Sequence, residues 1–208
     1  MKTICDGYTD LAPGKIASVV TYLEMRARPS LPASSSNKVS LRLIQHPALG
    51  RYRSLYRRAG AGWLWFSRLE MSDADLSALL NRSTTDLFIA EVKNAENENR
   101  EIGIAELDRS APPDVEITNF ALFPEAIGKG LGRPFMNAVL DQAWSAREAA
   151  GATSRVWLHT CTLDGPAALV FYMKCGFRAY KRAIEVADDP RLRGVLPEDA
   201  APQIPIIR

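Results

Sequence analysis

The stretch Val115-Glu-Ile-Thr-Asn-Phe-Ala-Leu-Phe-Pro-Glu-Ala-Ile-Gly-Lys-Gly-Leu-Gly-Arg133 decides how this chain is read. It opens with strand-forming residues and turns at Pro124. Glycines then stand at alternate positions, Gly128, Gly130 and Gly132. Beyond them Leu131, Phe135, Met136, Val139, Leu140, Ala143 and Trp144 recur at helical spacing, which predicts an amphipathic helix. Strand, glycine turn and helix start is an arrangement that binds phosphate. The first N–H groups of a helix have no intrahelical acceptor and lie at the positive end of its dipole. Glycine lets a phosphate approach that backbone without a Cβ in the way.

The spacing excludes two common phosphate loops. A dinucleotide fingerprint needs G-x-G-x-x-G, and counting from Gly128 its last place falls on Arg133. A P-loop needs four residues between its glycines and Ser or Thr after Gly-Lys, but Gly128-Lys129 is followed by Gly130.

The rest of the chain sets the frame. At 208 residues it suffices for one well-buried domain over residues 1–208, with a loose arm at 1–14 and an irregular tail at 187–208. Apolar residues make up 47% and charged ones 24%, as in ordinary globular proteins, and a net charge of +2 gives no case for nucleic acid. No apolar run approaches the roughly 20 residues of a membrane span, and the start of the chain lacks a signal-peptide core. Cys5, Cys161 and Cys175 read as free thiols in a reducing compartment, so a cytoplasmic location is expected. Strands are predicted at Lys15–Met25, Val39–Ile44, Asp86–Val92, Glu101–Leu107, Val115–Phe123, Arg155–Cys161 and Phe177–Val186. Helices are predicted from Ala48 to Ala59, from an N-cap at Ser72 through Leu80, from about Leu131 to Ala150 with Gly151 as C-cap, and from Pro166 to Cys175. Pro29–Asn37 is a loop by composition and Ala95–Arg100 a polar hairpin turn.

A second constellation lies at Trp157-Leu-His-Thr-Cys-Thr-Leu-Asp-Gly-Pro-Ala-Ala-Leu-Val-Phe-Tyr-Met-Lys-Cys-Gly-Phe177. Ile127 to Gly132 resembles the coenzyme A loop of the GNAT N-acetyltransferases, R/Q-x-x-G-x-G/A, with Ile127 in the first place. Ala168-x-x-x-Tyr172-x-x-x-Gly176-Phe177 resembles the same family's last motif, N-x-x-A-x-x-x-Y-x-x-x-G-F. Gly165 stands where that family has Asn, so a side-chain contact there is absent or moved to Asp164. The resemblance covers most of residues 85–186. It implies an α/β (α+β) fold: a mixed, mostly antiparallel sheet flanked by helices, with strands 115–123 and 155–161 parallel and splayed at a bulge. It also implies acetyl-CoA as cofactor. The pantetheine arm would lie in the gap like an added strand, and the pyrophosphate on Gly128, Lys129, Gly130, Leu131, Gly132 and Arg133. Ile127, Phe120, Leu122, Asp164, Ala168 and Tyr172 complete the expected cofactor contacts.

The implied reaction is attack of an amine on a thioester. Glu116 takes the place of the family's glutamate base, with Glu106 on the preceding strand as competitor and Asn119 as an alternative holder of a water. A carboxylate of ordinary pKa, about 4.3, is a poor match for an ammonium, so burial or a water relay is expected. The N–H of Leu122 is the oxyanion donor and Tyr172 the general acid that the resemblance implies. His159 and Cys161 share one strand face. They read as an ordinary half-buried pair, with a Cys–His nucleophile as the alternative, and are too few for zinc. The family's acceptor region falls on Arg51 to Leu69, where Tyr56, Trp63 and Trp65 are the candidate substrate contacts. The arginines there predict a cationic rim that favours an acceptor bearing carboxylate or phosphate, with aromatics in the core and arginines on a solvated helix face as the alternative. The expected partner is thus a small-molecule or peptide amine, with no metal, nucleic acid or membrane, and a homodimer is compatible. A catalytically silent acyl-CoA-binding module is the alternative function.

Overall fold

A computed structural model describes residues 6–28, 39–146 and 151–208. The strands are β1 (Lys15–Met25), β2 (Ser40–Ile44), β3 (Thr85–Lys93), β4 (Asn99–Asp108), β5 (Asp114–Leu122), β6 (Arg155–Cys161) and β7 (Arg178–Asp188). The helices are α1 (Leu49–Gly60), α2 (Ser67–Glu70), α3 (Asp73–Leu80), α4 (Gly132–Ala143) and α5 (Ala168–Lys174). One seven-stranded sheet runs β2-β3-β4-β5-β6-β1-β7. Every neighbouring pair is antiparallel except β5 and β6. Mixed α/β, mostly antiparallel with one parallel central pair, is the architecture expected.

Alternation along the strands builds a core on each face. One carries Leu23, Met25, Val115, Ile117, Val156 and Leu158 beneath Phe135, Met136, Val139 and Leu140 of α4 and Tyr172 of α5. The other carries Ile89 and Ile104 against Leu55 and Ala59 of α1, and Leu87 against Tyr52, Tyr56, Leu76 and Leu80 of α1 and α3. Ser72 caps α3, its hydroxyl accepting from the Asp75 N–H, with Asp73 and Asp75 in the first turn. The polar turn between β3 and β4 closes as predicted, Asn97 adopting positive φ.

Two readings change. Helix α4 stops at Ala143 and Trp144 is its C-cap, so Gly151 is not the cap of α4; residues 147–150 lie outside the described set. The helical periodicity ends at Trp144, and beyond it Ser145, Ala146 and Arg147 bring no apolar stripe to bury. Neither Asp164 nor Gly165 caps α5, whose N-cap is Ala167 with no side-chain bond. The first strand pairs inside the carboxy-terminal half of the sheet, between β6 and β7. The loop reading at Pro29–Asn37 and the Cys5 thiol lie outside the described residues; Cys161 and Cys175 are free thiols. The residues after Asp188 form no helix or strand. They fold back on Leu64, placing Leu196 and Ala201 against it and Ile16. Arg191 locks this turn, pairing with Asp189 and donating to the carbonyls of Ala200, Ala201 and Ile204. No helix among the described residues is long and apolar enough to cross a membrane.

Candidate active site

The site begins where the parallel pair comes apart. β5 and β6 are in register only over Asp114–Glu116 and Arg155–Trp157, although both strands continue. β5 is pushed aside by a bulge against β4, where Glu106 faces Asn119 and Leu107 faces Ile117, leaving Thr118 as the extra residue. Beyond the bulge the edge of β5 is open. The Phe123 N–H donates to the Ile102 carbonyl of β4. By antiparallel alternation the peptide groups of Leu122 and Phe120 point the other way, into the gap. The Phe120 ring packs under the gap, stacked on Phe135 at 4.4 Å and on Phe171 at 5.9 Å.

At the end of β5 the chain makes a 3-10 turn at Pro124–Ala126 and enters the glycine segment. Gly128 and Gly130 have φ of 78° and 70°, the left-handed region where a side chain is strained, and a Cβ at either would meet nothing within 4 Å. By ordinary hydrogen-bond geometry, no backbone N–H from Gly128 to Arg133 finds an acceptor among the described residues. Pro134 is the third helical residue, where an N–H has no intrahelical partner anyway. The donors therefore form an exposed run ending on the α4 dipole, which fits a pyrophosphate. Ile127 and Lys129 are exposed, and Leu131 is half-buried against the core. Arg133 reaches across to the Lys174 carbonyl at the end of α5. Gly132 sits under the Phe171 ring, which a Cβ there would meet at 3.3 Å.

A cleft of about 170 Å³ opens on the α1–α2 side of the gap. Thr118 and Asn119 of β5 and His159 and Cys161 of β6 form its floor. Tyr56 and Trp63–Ser67 form one wall, Leu163 and Asp164 another, and Glu185 of β7 closes it. Tyr56, Trp63 and Trp65 thus meet in one wall: Tyr56 packs on Trp65 at 5.5 Å, and Trp63 lies over Gly165. Trp65 also donates its indole N–H to Asp164 at 3.0 Å. Asp164 is an internal tie, accepting further from the Thr160 hydroxyl and the Cys161 N–H. Its carboxylate also lines the cleft.

Glu116 stands beside the cleft with its Oε1 3.5 Å from His159 Nδ1. Glu106 has a different place. It is 2% exposed and accepts from the Tyr52 hydroxyl at 2.8 Å, Arg68 Nη2 at 2.6 Å and the Thr118 hydroxyl at 2.9 Å. A carboxylate so engaged fastens α1 and α2 to the sheet. Tyr172 is buried under Phe120, Phe171 and Phe177, and its hydroxyl donates to no described residue. Burial first, then the Asp164 charge, pushes this phenol well above its usual value. Ala168 lies one helical turn before it, against the same core. Burial likewise pushes up the Cys161 thiol, with Asp164 adding to it, which opposes thiolate formation at the strand pair His159–Cys161.

The cationic rim is overturned. Arg51 pairs with Glu101, Arg53 with Asp73, Arg58 with Glu125 and Arg68 with Glu106, and neither these nor Arg57 lines the cleft. The charged groups that do line it are Asp164, Glu185 and His159. Sequence reading missed Glu185 because β1, inserted between β6 and β7, is what holds it opposite α2. It undervalued His159 for lack of any local signal of Glu116 across the gap. No cluster able to hold a metal occurs among the described residues.

This arrangement has relatives. The model of the acetyltransferase (GNAT) domain matches residues 84–179, from β3 to the start of β7. Residues 84–179 are thus a match to a GNAT acetyltransferase domain, the region that holds the splayed strand pair and the glycine segment. The solved structures it resembles include a putative GNAT acetyltransferase from Novosphingobium aromaticivorans, with 17% identity, a TM-score of 0.51, and coverage of 86% of this chain and 69% of that one. A spermidine N-acetyltransferase from Vibrio cholerae, in complex with CoA and spermine, aligns at 21% identity and TM-score 0.51 over 73% of this chain and 97% of its own. A functionally unknown conserved protein from Staphylococcus epidermidis aligns at 14% identity and TM-score 0.51, and this chain spans 64% of its length. At these identities the likeness is one of fold. No curated protein matches the sequence significantly.

Proposed function

We propose that the chain is an acetyl-CoA-dependent N-acetyltransferase that moves the acetyl group to a primary amine of a small molecule or peptide by direct attack on the thioester. One juxtaposition carries the reading: a run of unpaired N–H groups at 128–133 lies at one end of the β5–β6 gap, and an acidic, aromatic cleft opens beside it. Gly128 to Arg133 would hold the pyrophosphate, and the Phe120 and Leu122 peptide groups the pantetheine amides. The Leu122 N–H would face the thioester oxygen as it gains charge. Tyr172 would return a proton to the departing thiolate, its raised pKa keeping it protonated until then. Glu116 would supply the negative charge that draws the proton from the amine.

The cleft favours a cationic acceptor. Asp164 and Glu185 line it with no lysine or arginine, and Tyr56, Trp63 and Trp65 offer ring faces to an ammonium. A second positive charge on the acceptor is therefore favourable and a carboxylate is not. The test has two parts. Saturating acetyl-CoA at a hundredfold excess over its dissociation constant stabilises the native state by about 2.7 kcal/mol, or roughly 5–11 °C for a chain of this size. Acetyl transfer is then measured to propylamine, 1,4-diaminobutane, spermidine, glycinamide and glutamate. Faster transfer to the diamines than to glutamate supports the reading. A thermal shift with neither transfer nor thioester hydrolysis supports the silent binding module instead. No shift with acetyl-CoA or CoA, and no binding by calorimetry, removes the cofactor assignment.

A further inference from the structure

His159 comes from no motif, yet it is a titratable group exposed to the cleft. Its side chain is 46% exposed and forms part of the floor, whereas Glu116 is 20% exposed and contributes nothing to the lining. The Nδ1–Oε1 contact of 3.5 Å joins them. We propose that His159 takes the proton from the acceptor's ammonium and that Glu116 is the carboxylate that orients and charges it. This inference rests on the N-acetyltransferase reading above.

With Nδ1 turned to a carboxylate, the neutral imidazole carries its proton there, and the Nε2 lone pair is free to accept. The ring is held against Tyr22 of β1, centroid to centroid 5.7 Å. The charged and titratable groups facing it are Glu116 of β5, Asp164 of the turn after β6, Glu185 of β7, Tyr22 of β1 and Cys161 of its own strand. The Glu116 contact, with help from Asp164 and Glu185, holds the imidazolium above its ordinary value of about 6.5 against the opposing effect of burial. A base in that range exchanges protons with an amine more readily than a carboxylate of about 4.3.

The step balances. An ammonium proton passes to His159 Nε2, and the freed amine lone pair forms the C–N bond at the thioester carbonyl. The C–S bond breaks with its electron pair on sulfur, and the thiolate takes a second proton from the former amine, relayed through Tyr172. His159 releases its proton to solvent.

The test is kcat/KM against pH for the wild type, Glu116→Gln, His159→Gln and His159→Asn, with the diamine or amine of the panel that turns over fastest. An NMR titration of the imidazoles runs alongside, and the chain has only His46 and His159 to assign. The wild-type rate should rise with pH through the His159 pKa measured by NMR. Both His159 variants should retain the acetyl-CoA thermal shift, lose about 10²–10⁴-fold in kcat/KM, and lose that acidic limb. Glu116→Gln should keep the limb but move it to lower pH, in step with a lowered His159 pKa. A limb and rate retained within about threefold in the His159 variants overturn the proposal. So does a Glu116→Gln enzyme with no turnover and an unshifted His159. If the His159 variants fail to fold, the Glu116→Gln titration decides alone. Wild type that binds acetyl-CoA but acetylates no amine removes the enzyme reading and this inference together.

Discussion

Replacing Glu106 by Gln separates the structural carboxylate from the one at the cleft. Among the described residues the buried Glu106 side chain is the counter-charge that pairs with Arg68, whose side chain is 19% exposed and whose Nε has no hydrogen-bond partner there. Glutamine keeps the shape but removes the charge, and its amide meets the Tyr52, Arg68 and Thr118 donors with one acceptor oxygen instead of two. Breaking a buried pair by removing one partner costs about 3–5 kcal/mol. Partial solvent access of Arg68 and a rotatable Tyr52 hydroxyl place the expected cost near the lower end, about 3 kcal/mol. For a domain of this size that is a fall in Tm of roughly 6–12 °C. Calorimetry gives the Tm, and acetyl transfer per folded molecule, measured well below it, gives the chemistry. Glu106→Gln should be markedly less stable yet keep most of its turnover, while Glu116→Gln should keep its Tm and turn over more slowly, with its pH–rate limb moved to lower pH. A Glu106→Gln enzyme with wild-type Tm and no activity would refute the reasoning and make Glu106 the base.

Other outcomes follow from the same geometry. Gly130→Trp should fold with a loss of about 1–2 kcal/mol from the left-handed backbone, and should lose the acetyl-CoA thermal shift because the side chain covers the N–H run. Gly60→Ala places a Cβ 2.3 Å from Trp65 Cβ, so the cleft wall must move; acceptor KM should rise while the acetyl-CoA response stays, as paired kinetics and thermal shift will show. Arg191→Met should cost about 3–5 kcal/mol in chemical denaturation, since Asp189 is left buried and unpaired. The Arg191 contact holds the Asp189 carboxyl below its usual 3.8. A depressed folded pKa gives stability that is present above 3.8 and is lost as pH falls through the folded value. Acid titration of the wild type should therefore show a component below pH 3.8 that Arg191→Met lacks.

The sequence carried the central machinery because that machinery is local. Gly128, Gly130 and Gly132 announce a backbone conformation, and Ala168, Tyr172 and Gly176 a helix and its end, so β5, α4, β6 and α5 were legible within a few residues. The acceptor cleft was not, because it is assembled from distant pieces. Arg51, Arg53, Arg58 and Arg68 look like a rim when read in one dimension; each finds its carboxylate only after α1 and α2 settle on the sheet. Glu185 and His159 become neighbours only through β1. The end of α4 was misplaced for another reason: polar residues after Trp144 carry no burial signal, so propensity alone extended the helix.

The place of β1 has a consequence for how the chain is made. Its partners are β6 and β7, and Lys15 meets Asp188 across 173 residues of sequence. At about 5–20 residues per second of synthesis, β1 waits roughly 9–35 s for its neighbours. During that time its alternating apolar face and both of its hydrogen-bonding edges are open to other chains. A strand made before β6 and β7 is thus paired only once both have been made. A nascent chain of this protein depends on whatever shields residues 15–25 until the final strand arrives.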